Sequence, residues 1–263
     1  MIKLERTQVM GMEPAIRGMR NPMNSWDKSD SGYGCLSRRY CGKTETGPRL
    51  CKDCAATYES HAVCSGERVF VIGPNDHDLA MRLIKGGPVE AKFRRQIFVS
   101  VDITAPLYWW KEFDTYKVGT VANSCSTMHK IHAKEFVLED FSCEHLLGTI
   151  DMVRDGETLM TGGLFNDAHP GYNPMAIMYL LIGMLNDCRK KFLETNDKKW
   201  WWQMIQLLPT SYNQMRTITF NYEVLAGMYK SRKNHKLQEW RDLCEWALTL
   251  PYPEFITGKV REE

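Results

Sequence analysis

Long hydrophobic runs and a large excess of one charge are both missing from this 263-residue sequence. Its longest apolar segment, MAIMYLLIGML at residues 175–185, is far shorter than the roughly 20 residues that a membrane-spanning helix needs. Lysine and arginine total 34 against 32 aspartates and glutamates, so the formal net charge is +2. A nearly neutral chain has no strong field to attract nucleic acid or an anionic membrane. We therefore expect neither as a partner.

An apolar stretch is also missing from the first residues, MIKLERTQVMGMEP, where a secretory signal peptide would need one. We therefore expect a soluble protein of the cytoplasm, where thiols stay reduced. The sequence contains nine cysteines, and five of them lie in residues 35–64. Because disulfides are not expected in that compartment, this cluster needs another explanation.

Regular alternation of strands and helices, the mark of a parallel α/β sheet, is absent as well. Strand patterns come early in the chain and helical patterns come late, while residues 155–163 are typical of a hairpin or a loop. This order predicts an α+β fold, a small, mostly antiparallel sheet packed with helices, in one domain that spans residues 1–263. The predicted strands are 2–11, 68–72 and 96–103, and the predicted helices are 75–87, 173–193, 200–208, 216–232 and 236–250.

For two of the predicted helices, the sequence also indicates the residues at which they begin or end. The helix at 75–87 has Asn75 as its N-cap and Gly86 as its terminator. The helix at 173–193 has Asn173 as its N-cap and Pro174 as its first residue. It is apolar nearly all round, which predicts a place at the centre of the fold. The run Trp200–Trp202 is expected in the core or at a subunit interface, since three consecutive residues cannot share one helical face.

The cysteine cluster has the spacing of a structural zinc site. Cys51 and Cys54 form a Cys-x2-Cys knuckle, which supplies two of the four ligands that tetrahedral zinc needs from one turn. The segment 35–66 has little to bury, so it would fold poorly without such a staple. A Cys-rich loop or a redox-active pair are the alternatives. The candidate ligands are Cys35, Cys41, Cys51, Cys54 and Cys64, with His61 as a further candidate.

A polar segment placed directly behind a predicted strand raises the question of a pocket. The strand ends at Pro106, four aromatic residues follow within 108–113, and residues 115–130 are rich in Thr, Ser, Asn, Lys and His. Loops held by rigid strands often carry function. The segment is therefore predicted to form the floor of a pocket for an anionic aromatic ligand, with a solvated loop as the alternative.

Taken together with residues 207–240, this segment resembles the signature region of the flavin-dependent thymidylate synthases. Ala105 to Tyr108 match the end of the family's strand, and Asn123 and Ser126 match its Asn-x-x-Ser spacing. The resemblance covers most of residues 1–30 and 67–250 and leaves the Cys-rich segment as an insertion. Downstream matches at the family's spacing are Leu208-Pro209, Asn221, Leu225, Arg232, His235 and Trp240.

The resemblance implies a homotetramer that binds FAD between subunits and a pyrimidine nucleotide, dUMP or a relative, beside the flavin. It implies a folate one-carbon donor and NADPH as co-substrates, in a reductive transfer to C5 of the pyrimidine. By the same resemblance Arg232 and Ser126 are the catalytic residues, and both also bind substrate together with His129. The implied cofactor-binding residues are Tyr116, Lys117, Asn123, Asn221 and His235.

The sequence departs from the family at several charged positions. The family's Arg-His-Arg is replaced by Thr115-Tyr116-Lys117, and the Arg of its Ser-x-Arg is Met128, with His129 and Lys130 beside it. An Arg and an Asn of the family are replaced by Ile205 and Gly227. A charge-assisted hydrogen bond contributes about 1.5–3 kcal/mol, so these changes weaken the case for the family's substrate. A related enzyme with a changed substrate and a non-catalytic descendant therefore stay open as hypotheses.

The zinc hypothesis predicts about one zinc ion per chain, bound by Cys51, Cys54, Cys41 and one of Cys35 or Cys64. Elemental analysis of protein purified without added metal measures this ratio. A ratio near zero in soluble, folded protein would leave a Cys-rich loop as the explanation.

Overall fold

The computed structural model describes residues 2–35, 68–147, 150–154, 157–162 and 174–259. Contacts divide the chain into two compact units. The first unit contains Met1–Glu5, Asp102–Thr115 and Ala122–Thr217, and the second contains Arg6–Val101, Tyr116–Val121 and Ile218–Glu263. Among the described helices, none has both the length and the apolar character needed to cross a bilayer.

The strands of the described residues form three small sheets, and the largest is antiparallel with four strands. Its order is β1-β4-β8-β5, while β2 pairs with β3 and β6 pairs with β7, both antiparallel. The predicted α+β class is therefore confirmed. Of the segment 155–163, residues 157–162 form a strand that pairs with 150–154, and residues 155, 156 and 163 lie outside the described residues. The strands are β1 (Lys3–Met10), β2 (Gly32–Cys35), β3 (Arg68–Val71), β4 (Phe98–Pro106), β5 (Val121–Ser124), β6 (Ile150–Arg154), β7 (Glu157–Gly162) and β8 (Asn213–Asn221).

The helices follow the predicted order, with one correction at 216–232. The first part of that segment is strand β8, because Ile218 and Phe220 are buried while Thr217 and Thr219 face away, which is the period of a strand. The helix begins only at Tyr222. The helices are α1 (Met12–Met19), α2 (Pro74–Lys85), α3 (Leu107–Phe113), α4 (Pro174–Thr195), α5 (Lys198–Leu207), α6 (Tyr222–Arg232), α7 (Gln238–Ala247) and α8 (Glu254–Thr257).

Strand β4 has one apolar and one polar face. Its apolar face is fully buried and consists of Val99, Val101, Ile103 and Ala105. On its polar face the Thr217 hydroxyl donates to the Asp102 carboxylate at 2.6 Å, and the hydroxyls of Ser100 and Thr219 lie 3.3 Å apart. These cross-strand pairs satisfy polar groups on a partly covered sheet surface.

The predicted N-cap of α2 is wrong. The N-cap position is Gly73, and the capping oxygens come from Asp30, whose carboxylate accepts the backbone N–H groups of Asn75 at 2.9 Å and Asp76 at 3.1 Å. A carboxylate at a helix N-terminus also interacts favourably with the helix dipole. The cap is thus supplied by a residue remote in sequence, while the predicted end of the helix at Gly86 is correct.

The predicted central position of α4 is also wrong for the chain as described. Met178, Leu185 and Cys188 are its buried residues, and they pack with Met204 of α5 and with Trp200 and Trp201 in one apolar cluster. Five apolar side chains of the same helix are about half exposed, namely Ile177 at 45%, Tyr179 at 58%, Leu180 at 55%, Met184 at 54% and Leu193 at 55%. Trp202 is likewise 50% exposed. The apolar surface of α4 therefore exceeds what the described residues cover.

The carboxylate of Asp76 organises the segment that leads from α1 into β2. Asp76 is completely buried and pairs with Arg20, whose Nε donates to Oδ1 at 2.5 Å. Its Oδ2 accepts the hydroxyls of Ser29 and Ser31 and the backbone N–H groups of Asp30 and Ser31. Burial alone would raise the pKa of Asp76, but the hydrogen bonds from Ser29, Ser31 and Arg20 outweigh it and hold the pKa below 3.8.

Replacing Asp76 with Asn should destabilise the fold by about 3–5 kcal/mol near neutral pH, because Arg20 would keep a buried charge without its partner. A carboxylate with a depressed pKa stabilises the folded state above its unfolded pKa of 3.8 and loses that contribution as pH falls through the lower folded value. The difference between parent and variant should therefore shrink in strongly acidic solution. Chemical denaturation at several pH values measures both effects.

The matched control lies on the same helix. Asp78 pairs with Arg82 four residues later, and both side chains are exposed, at 70% and 68%. Asp78→Asn should change the free energy of unfolding by less than about 1 kcal/mol. Equal effects of the two substitutions would contradict the role given to Asp76.

Candidate functional site

The polar segment behind β4 is anchored by a short buried helix. Pro106 ends the strand, and Trp109, Trp110 and Phe113 of α3 are buried in mutual ring contacts. The backbone N–H of Leu107 donates to the carbonyl of Tyr212 at 3.0 Å. The aromatic residues that follow Pro106 therefore lie in a helix that was not among the predicted ones, and its burial fixes the position at which residues 115–130 begin.

In the second unit, the contact between Arg232 and Tyr116 joins the polar segment to the last turn of α6. The Nε of Arg232 donates to the Tyr116 hydroxyl oxygen at 2.9 Å. The same guanidinium lies 5.7 Å from the ring centre of Tyr116 and 4.9 Å from that of the fully buried Trp240. A guanidinium held over two aromatic rings is stabilised by cation–π attraction and has a defined orientation.

His235 and Lys117 belong to the same unit as this contact. The His235 Nδ1 accepts the backbone N–H of Leu237 at 3.2 Å, so a neutral His235 ring carries its proton on Nε2. The ring lies 6.2 Å from that of Trp240, nearly perpendicular to it. Lys117 follows Tyr116 directly and is exposed to solvent. The unit thus collects two cations, one imidazole and two aromatic rings from the predicted motif positions and their neighbours.

Asn221 has a structural role that is independent of any ligand. It is the N-cap of α6, and its side-chain oxygen accepts the backbone N–H of Val224 at 3.0 Å. The turn at Gly119 packs against this cap, with a left-handed φ of 77°. A Cβ atom at Gly119 would lie 3.1 Å from the amide nitrogen of Asn221 and 3.1 Å from a methyl group of Val224, so the close approach favours glycine there.

The other predicted site residues lie in the first unit, on β5 and in the turn after it. Asn123, Ser126 and His129 are all exposed. The Ser126 hydroxyl oxygen accepts the backbone N–H of His129 at 2.8 Å and that of Met128 at 3.3 Å, which stabilises the turn. The Trp201 indole donates to the Met128 carbonyl at 3.0 Å, so the aromatic run of α5 also contacts this turn.

Comparison with known structures identifies the fold. Two crystal structures of thymidylate synthase X from Helicobacter pylori, both with FAD and dUMP, match over 97% and 96% of this chain and 96% of theirs, with TM-scores of 0.56 and 0.55 at 13% and 14% identity. The chain has the fold of the flavin-dependent thymidylate synthases. A UMP/dUMP methylase, PolB from Streptomyces cacaoi bound to 5-Br UMP, matches over 95% of this chain and 88% of its own, with a TM-score of 0.51 at 13% identity. No protein-family model matches the sequence, and no curated protein sequence does.

Within this thymidylate-synthase fold, sequence reasoning missed Arg216. Its guanidinium stacks over the Trp110 ring at 4.2 Å and donates to Asp114 at 2.7 Å and to the Gln214 side-chain oxygen at 2.9 Å. The signal that was present is the alternation of Ile218 and Phe220 with polar residues, which marks a strand. The helical interpretation of 216–232 hid it.

The predicted zinc ligands fall mostly outside the described residues. Cys35 is the last residue of β2, paired across the hairpin with Arg68. Cys41, Cys51, Cys54 and Cys64 all lie outside the part of the chain that the structure describes, as does His61. Among the residues it does describe, no group of three or more His, Cys, Asp or Glu side chains is arranged to hold a metal. Zinc binding therefore stays a prediction.

Proposed function

We propose that this protein is a flavin-dependent enzyme that transfers a one-carbon unit reductively to C5 of a pyrimidine nucleotide, dUMP or a relative. The observation that carries the proposal is the contact between Arg232 and Tyr116. It brings together the two sequence segments that jointly carry the resemblance to the family, in a chain with the family's fold. The crystal structures with that fold contain FAD with dUMP in one protein and 5-Br UMP in another.

The residues of the second unit fit an anionic heteroaromatic ligand such as FAD or the nucleotide. A guanidinium fixed between Tyr116 and Trp240 offers donors of defined direction, and the exposed Lys117 offers a mobile positive charge. Asn221 fits a smaller role than the resemblance implies, because its oxygen caps α6 and only its amide nitrogen is left to donate to a flavin.

In the proposed reaction, the protein's own residues bind, orient and stabilise charge. Arg232 holds a carbonyl oxygen of the pyrimidine and stabilises the negative charge that develops on it. Ser126 and His129 bind the nucleotide phosphate, and Tyr116, Lys117 and Asn123 contact the flavin. When bound, reduced FAD supplies a hydride, while a folate supplies the carbon and NADPH restores the flavin.

A second candidate is a non-catalytic descendant that keeps the fold for binding or assembly. The observation that favours it is the loss of charge at the family's positions, where Thr115 and Met128 stand in place of arginines. In addition, the Tyr116 hydroxyl accepts a hydrogen bond from Arg232. The segment around Tyr116 carries fewer positive charges than the family's Arg-His-Arg motif. An enzyme of the same type with another pyrimidine nucleotide as substrate would accommodate the same changes.

We also propose that the chain assembles as a homotetramer. The apolar face of α4, defined by Ile177, Leu180 and Met184, has the i, i+3, i+7 spacing of a helix interface and is about half exposed. A second copy of the chain would cover it, together with the exposed Trp202. Zinc, if bound, would act as a structural clip in the Cys-rich segment.

Assembly is tested by multi-angle light scattering at micromolar concentration, for which we expect a mass four times the 30.5 kDa of one chain. Replacing Leu180 and Met184 with Lys should lower that mass, because burying two charges in an apolar interface is unfavourable. A monomeric parent protein would contradict the proposal, and with it a flavin site shared between subunits.

Replacing Arg232 with Ala should weaken the binding of FAD or dUMP by about 1.5–3 kcal/mol, because a charge-assisted hydrogen bond is lost. Lys117→Ala should act in the same direction, and both variants should melt close to the parent. Isothermal titration with FAD and with dUMP measures the effect. Lys230→Ala, which removes an exposed cation two residues from Arg232 on the same helix, is the control and should bind as the parent does.

Two results would contradict the enzymatic proposal. The parent protein could bind neither FAD nor a pyrimidine nucleotide, or the Arg232 and Lys117 variants could both bind them as the parent does. In either case the non-catalytic hypothesis takes its place.

A further inference from the structure

One end of the segment that carries Tyr116 and Lys117 is held by Arg216. Asp114 caps the C-terminus of α3, immediately before this segment, and its carboxylate accepts the Nη1 of Arg216 at 2.7 Å. The Arg216 side chain is only 13% exposed, and its guanidinium carbon lies over the ring of Trp110, 4.2 Å from the ring centre. The anchor therefore has a defined position, unlike an ion pair between two solvated side chains.

The other end of the segment is held by Gln214. Its side-chain nitrogen donates to the carbonyl of Cys125 at 2.6 Å, one residue before Ser126. Gln214 is buried, and its own backbone carbonyl accepts the indole N–H of Trp110 at 2.9 Å. The backbone N–H of Cys125 donates to Met215 at 2.9 Å, which extends the pairing of β5 with β8 by one residue.

The two anchors are linked through the side-chain amide of Gln214. Its oxygen accepts the Nε of Arg216 at 2.9 Å while its nitrogen donates to the Cys125 carbonyl. Rotating this amide by half a turn would place N–H groups against a guanidinium and an oxygen against a carbonyl, so the amide has one favourable orientation. Arg216 thereby fixes the direction in which Gln214 donates.

We propose that Arg216 and Gln214 are positioning residues that hold both ends of the chain segment 114–125, in which Tyr116 and Lys117 lie. The inference rests on the proposed function, because Tyr116 and Lys117 are the residues of this segment proposed to contact the flavin. Neither Arg216 nor Gln214 is among the positions that match the family. A purely local role in the sheet would leave the mobility of residues 115–124 unchanged when Arg216 is replaced.

The first test needs no ligand. Arg216→Lys keeps the charge but loses the planar group that stacks and donates in two directions. Amide hydrogen exchange in peptides from 115–125 should become about tenfold faster, because losing one member of a hydrogen-bond network makes local opening of the segment easier by an amount typical of coupled groups. Peptides from β4 should exchange as in the parent. Arg82→Lys, which alters the exposed pair with Asp78, is the control and should leave 115–125 unchanged.

The second test uses FAD and dUMP as probes. The affinity of the Arg216→Lys variant for at least one of them should fall about tenfold, because the segment 114–125 would be held less firmly when the network around Arg216 is weakened. Asp114→Asn, at a half-exposed residue, should have the same effect, and the double variant should be no weaker than either single variant. If Arg216→Lys does not fold, Asp114→Asn carries both measurements.

The outcomes separate the two proposals. Parental exchange in 115–125 with parental affinity would overturn the positioning role while leaving the proposed function intact. A parent protein that binds neither FAD nor dUMP would overturn the proposed function. Faster exchange confined to 115–125, with weaker binding of FAD or dUMP, would support the positioning role.

Discussion

The contact between Arg232 and Tyr116 is the interaction on which the candidate site depends. Arginine side chains are long and entropically costly to fix, yet this one donates to a phenol oxygen and lies over two aromatic rings. Its position is therefore set by the protein before any ligand arrives, which lowers the cost of binding. The arrangement suits a protein that orients an anionic aromatic molecule, whether or not chemistry follows.

Polar side chains remote in sequence organise two other parts of the fold. Asp76 binds Arg20, Ser29 and Ser31 just before strand β2. In the other unit, Arg216 and Gln214 connect α3 to the end of β5. In both networks a buried or half-buried group is satisfied by several partners, so removing one partner leaves the others unmatched.

Local patterns in the sequence predicted the fold class, the position of strand β4 and the order of the later helices, because period and composition report burial directly. They failed where the deciding contact is remote. The cap of α2 comes from Asp30, 45 residues before Asn75, and no local signal at Asn75 reveals it. The segment 216–232 changes from strand to helix at Asn221, and its apolar residues suit both periods. The site residues of α6 and of the polar segment followed from the family resemblance, whereas Arg216, which matches no family position, was found only from its contacts.

Visible absorption spectroscopy of the purified protein tests the central claim most directly. We expect flavin bands in the protein as isolated or after addition of FAD and gel filtration, and a change in those bands when dUMP or another pyrimidine nucleotide is added. A protein that remains colourless after incubation with FAD, while folded and soluble, would contradict it.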